Sequence, residues 1–75
     1  MEKKHDLIPV KLNQIINLYI QEKGKKDDGI GIINKYVIIV PATIKGEEYM
    51  VQITKVMPTY AFAKKIKNKN DKEVN

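Results

Sequence analysis

A chain of 75 residues has room for one small domain, and folding at that size buries only roughly 60% of the surface that the unfolded chain exposes. The absence of cysteine excludes a disulfide framework and a thiolate metal site, and points to a reducing cytoplasmic setting. Fourteen basic residues against nine carboxylates give a net charge of +5, and all fourteen are lysine, so the expected partner is a polyanion gripped by its backbone more than read by its base edges.

No apolar run approaches the ~20 residues that cross a bilayer, and the charged first residues do not lead into a signal segment, so no membrane role is expected. Residues 1–8 are mostly polar and read as a flexible N-terminal arm that contains the sole histidine, His5. Period-two alternation then sets in: Ile16, Leu18 and Ile20 fall on one face, with Asn17, Tyr19 and Gln21 on the other, as in a half-buried strand. Leu12, Ile15, Ile16, Tyr19 and Ile20 also satisfy helical spacing, so this segment alone is ambiguous, although its β-branched content leans toward strand.

Turn signals recur at short intervals after it, at Gly24 to Gly29, Asn34-Lys35, Pro41 to Gly46, and Pro58-Thr59. Such spacing favours a small all-β barrel, which also removes the exposed sheet edges that a thin-cored domain cannot otherwise hide. Gly29-Ile30-Gly31 is not a dinucleotide loop, because Asn34 stands where a third glycine is needed and a β-rich run follows instead of a helix. The glycines are expected to relieve crowding where a coiled strand bends around a narrow barrel.

Asn34-Lys35 between Ile30–Ile33 and Tyr36–Val40 reads as a hairpin turn. Lysine suits the second turn position poorly, so a connection looser than two residues is expected. Lys35 and Tyr36 would then project together and offer a cation beside a ring, the smallest unit that can hold a nucleotide. Tyr36 can equally pack across the strand pair. Lys55, in the next β-rich run, is a further candidate cation.

In Tyr60-Ala61-Phe62-Ala63-Lys64 alternation puts the two alanines on one face and Tyr60, Phe62 and Lys64 on the other. Small residues suit a crowded barrel interior, so the aromatic face is expected outward as a stacking platform ending in a cation. The opposite orientation, with Phe62 as a core anchor, is the alternative. Residues 67–75, rich in lysine and asparagine, read as a flexible tail.

The inventory for catalysis is poor. With no serine, no cysteine and one histidine, neither a hydroxyl triad nor a thiol nucleophile can be assembled. Asp27-Asp28 and Glu47-Glu48 sit in turns beside glycine, where carboxylates are ordinary solvated residues. No enzyme activity, cofactor or metal is expected.

The ordered combination of Asp28-Gly29-Ile30, Tyr36 to Pro41, Gly46-Glu47, Ile53-Thr54-Lys55-Val56 and Tyr60-Ala61-Phe62-Ala63 resembles the TRAM domain, with Leu12-Asn13-Gln14 at the place of the family's opening turn. The resemblance covers residues 9–66. It implies an OB-like five-stranded antiparallel β-barrel of the free-standing, archaeal type. It also implies RNA binding without chemistry, to single-stranded RNA and tRNA, by a monomer acting as an ATP-independent RNA chaperone. Lys35, Lys55 and Lys64 would supply charge, and Tyr36, Tyr60 and Phe62 stacking. Departures from the family pattern are Asp27 for the first glycine of its Gly-Asp-Gly-Ile element, Ile32 for a basic residue, Ile39 for a phenylalanine and Lys35 for a glycine. The alternatives are a non-catalytic tRNA-binding accessory to a separate RNA-modifying enzyme and a general DNA-binding protein.

Overall fold

The computed structural model describes residues 8–69. Residues 1–7 of the expected arm, His5 among them, and residues 70–75 of the expected tail lie outside these. Six strands follow in chain order: β1 (Ile15–Tyr19), β2 (Glu22–Lys23), β3 (Asp28–Ile33), β4 (Tyr36–Pro41), β5 (Glu48–Val56) and β6 (Tyr60–Asn68). The segment that also fitted helical spacing is strand β1. The all-β, OB-like expectation holds, with one strand more than the five expected.

The extra strand comes from a division of the first. The sheet order is β1-β5-β6-β4-β3-β2, so β1 and β2 occupy opposite edges although only Ile20 and Gln21 separate them in the chain. These two residues bridge the edges. Ile20 N donates to Glu47 O (2.9 Å) and Ile20 O accepts from Gly46 N (2.8 Å) on the β5 side, while Gln21 N donates to Ile30 O (2.8 Å) on the β3 side. The sheet therefore curls until its edges meet along one coiled strand, as barrel closure requires.

Closure explains the glycines. A Cβ on Gly31 would lie 2.6 Å from Leu18 Cδ1 and 2.7 Å from Tyr19 O, and one on Gly29 would collide with Thr43 Oγ1. Any side chain at either position would wedge β3 away from β1 and from the loop after β4. Lys23 locks the same corner: its Nζ donates to Thr43 O (2.6 Å) and pairs with Asp27 Oδ1 (2.5 Å). Thr43, itself buried, donates its Oγ1 proton to Val40 O (3.0 Å).

One pairing departs from the antiparallel pattern. β4 and β6 run parallel over Val37–Tyr60, Ile38–Ala61 and Ile39–Phe62. The core between the walls comprises Leu18, Ile20, Ile38, Val40, Tyr49, Val51, Ile53, Ala61 and Ala63, with Val10 and Tyr36 at its margin. β6 runs on to Asn68, beyond the Ile66 at which the barrel was expected to end.

Candidate nucleic-acid interface

The β6 alternation resolves as the small residues demand. Ala61 and Ala63 are fully buried, whereas Phe62 is 36% exposed and Tyr60 half-buried on the outer face. The two rings stand edge to face, with centroids 5.5 Å apart and planes at 89°. This geometry is favoured by their quadrupoles and leaves the rings turned in different directions, so they do not offer two parallel faces in register.

The cross-strand register assembles the surface around them. Glu22, Ile30, Ile39, Phe62 and Lys55 form one row across five strands, and Ile32, Val37 and Tyr60 a neighbouring row. Lys55 reaches its place opposite Phe62 because the β5–β6 register shifts between Ile53 and Lys55. Thr54, displaced by the shift, donates its hydroxyl to Phe62 O (3.3 Å). Lys64 lies two residues further along β6, and Lys35 tips the β3–β4 hairpin at the opposite end. The side-chain ammonium groups of Lys35, Lys55 and Lys64 have no ion-pair or hydrogen-bond partner among the described residues. Lys23 and Lys65, by contrast, are anchored to backbone oxygens.

The Asn34-Lys35 turn corrects one expectation. Ile33 pairs directly with Tyr36, and both turn residues have positive φ, 49° and 71°, which is the two-residue type I′ hairpin in its tight form. The strand twist imposes the left-handed backbone on lysine despite its intrinsic reluctance.

Tyr36 corrects another. It does not project beside Lys35, because its ring is buried against the core. Its single hydroxyl proton is shared between Met57 O and Tyr60 O, each 2.7 Å away. Burial pushes the phenol above its ordinary value, with the Met57 hydrogen bond opposing. Tyr36 thus braces the 57–60 turn from beneath and fixes the backbone of Tyr60, a positioning role instead of a stacking one.

Sequence reasoning passed over the aliphatic part of this face. Ile30, Val37 and Ile39 are half-buried and Ile32 is exposed, forming apolar surface continuous with the aromatic pair. The signal was available: once Tyr36, Ile38 and Val40 are taken as inward, strand alternation turns Val37 and Ile39 outward. Among the described residues no three His, Cys, Asp or Glu side chains converge as metal ligands, and no helix is long and apolar enough to cross a membrane.

A family model described as TRAM domain matches residues 9–66. An uncharacterized RNA methyltransferase of Clostridium tetani is 51% identical over 57 residues, which are 76% of this chain and 12% of that protein. An uncharacterized protein of Methanocaldococcus jannaschii is 41% identical over 59 residues, 79% of this chain and 77% of that protein. The solution structure of a conserved protein of Methanococcus maripaludis superposes with a TM-score of 0.77 at 31% identity, covering 87% of this chain and 93% of that one. The chain spans only a small part of the methyltransferase and most of the other two.

Proposed function

This chain belongs to the TRAM domain family, and from that premise we propose that it binds single-stranded or structured RNA, tRNA included, with little sequence preference. The domain is non-catalytic. Its work is to hold open RNA as an ATP-independent chaperone, acting as a monomer in the cytoplasm. The observation that carries this reading is the outward Tyr60–Phe62 pair with unpartnered lysines on three sides.

The mechanism follows from what each group offers. An unpaired base can stack on an exposed ring whatever its identity, because every base has a π-face. Lys35, Lys55 and Lys64 neutralise adjacent phosphates and release condensed counterions, which gives affinity without sequence information. A protein that binds only the open RNA lowers the free energy of that state by mass action and so disfavours misfolded pairing without a nucleotide cofactor. The test is a fluorophore–quencher RNA hairpin. Adding the protein without ATP should raise fluorescence, and Phe62→Ala should shift the rise to about tenfold higher protein concentration or more. A hairpin that stays closed at saturating protein would contradict chaperoning.

A second reading is supported by the Clostridium tetani relative, an RNA methyltransferase of which the matched region is a minor part. On that reading the domain delivers RNA to a separate modifying enzyme. Co-purification of such an enzyme, together with an unopened hairpin, would favour it.

A further inference from the structure

We propose that the cleft between Ile44 and Ile66 is a second nucleotide subsite, entered by the same RNA strand after it passes over Phe62 and Lys64. The inference rests on the RNA-binding reading of the aromatic face and extends the site along β6.

The cleft arises where two strands part. The parallel β4–β6 pairing ends at Ile39–Phe62, after which β4 stops at Pro41 and Ala42, with φ of 60°, turns the chain away. β6 continues from Ala63 to Asn68 alongside β5. A second register shift, between Met50 and Val51, leaves Ile66 unpaired in the ladder and 45% exposed, facing a space that Ile44 borders from the diverging loop. The opening has a volume of about 250 Å³, room for a single nucleobase.

Its chemistry suits a nucleotide. Ile44 and Ile66 both line the opening and give it apolar surface for a flat base, and the buried Tyr49 lines it as well. Lys65 is held in place, with Nζ donating to Ala42 O (2.9 Å) and lying 5.8 Å from the centre of the Tyr49 ring, so a fixed cation stands beside that surface. Lys67 adds a second cation at the rim, and the Glu47 carboxylate accepts from Asn68 Nδ2 (3.1 Å). Two lysines on an apolar slot select a polyanion with a flat apolar portion.

Continuity identifies that polyanion. At a strand rise of about 3.3 Å per residue, Ile66 lies roughly 13 Å beyond Phe62 along β6, with Lys64 between them. Lys65 and Asn68 sit opposite the inward residues Val51 and Tyr49, so a strand stacked on the outward Phe62 and paired to Lys64 would reach the cleft by turning in at the gap where β4 leaves β6. The order of ring, cation and apolar slot with cations repeats the base–phosphate alternation of a single strand, within the roughly 4–16 nucleotides that one OB-type barrel engages.

The experiment compares fluorescein-labelled oligouridylates of four and ten nucleotides. Phe62→Ala should weaken both about tenfold or more. The double variant Ile66→Ser, Lys67→Glu should leave the four-mer within twofold of the wild-type protein and weaken the ten-mer about tenfold. Amide NMR shifts of Ile44, Ile66 and Lys67 in the wild-type protein should move with the ten-mer and not with the four-mer, a readout independent of whether the double variant folds. If Phe62→Ala weakens both oligomers while these amides stay still and the double variant binds the ten-mer normally, the second subsite is overturned and the aromatic site stands. If Phe62→Ala changes neither, the strand does not pass over the ring, and both the continuity argument and the RNA reading of that face fail.

Discussion

Lys55 and Phe62 face each other across the β5–β6 pair, at the step where Thr54 slips out of register and donates its hydroxyl to Phe62 O. Without that slip the alternation of β5 would pair Lys55 elsewhere. The irregularity sets a cation beside the exposed ring proposed to stack on bases. Phe62→Ala should therefore weaken single-stranded RNA binding by about 1–3 kcal/mol, roughly 5- to 150-fold in Kd, with little change in unfolding midpoint. A variant that loses cooperative unfolding would show Phe62 to be a core residue.

Lys35 separates binding from stability. Its φ of 71° strains a lysine, so Lys35→Gly should stabilise the barrel by about 0.5–1 kcal/mol, the relieved strain less the unfolded-state entropy that glycine adds. The same change removes one phosphate contact and should lower the slope of log K against log salt by about 0.7. Urea unfolding and a salt titration of RNA binding would read the two effects, which should move in opposite directions.

Barrel closure has a sharp steric test. Gly31→Ala places a methyl 2.6 Å from the Leu18 side chain and 2.7 Å from Tyr19 O, and the backbone atom cannot swing aside. The expected loss is about 1–3 kcal/mol or more in denaturant unfolding. Gly46→Ala meets no atom within 4 Å; its cost is the positive φ alone, so it should be the milder of the two.

Tyr36 couples stability to alkaline pH. Its phenol is raised in the folded state chiefly by burial, so the folded chain holds the proton more tightly than the unfolded one. That contribution is fully present below the ordinary tyrosine value near pH 10 and is lost as pH rises through the raised folded value. Tyr36→Phe should flatten this alkaline dependence and cost about 1–3 kcal/mol at neutral pH, since Met57 O loses the hydroxyl donor and Tyr60 O keeps only the Met57 N–H. Thermal unfolding between pH 7 and 11 would show both.

How far the sequence reveals the fold depends on where local pattern is decisive. The Tyr60–Lys64 orientation was legible because alanines alternate with bulky residues, and only one arrangement fits a narrow interior. Tyr36 was not, because the Tyr36–Val40 run is apolar on both faces and alternation within it has no contrast. Its partners, the carbonyls of Met57 and Tyr60, lie more than twenty residues away. The parallel β4–β6 pairing and the slips at Thr54 and Ile66 likewise arise from closing the sheet on itself and leave no local mark. Gly29 and Gly31 did leave one, because close backbone approach admits nothing larger.

On the proposed function, this barrel grips single-stranded RNA through an aromatic face and unpartnered lysines. Fluorescence anisotropy against labelled single-stranded RNA, tRNA and duplex DNA at two salt concentrations tests it most directly. Binding should favour RNA over duplex DNA and fall with salt, with a slope of about −2 for three phosphates neutralised. Equal affinity for duplex DNA, or no binding to any of the three, would contradict it.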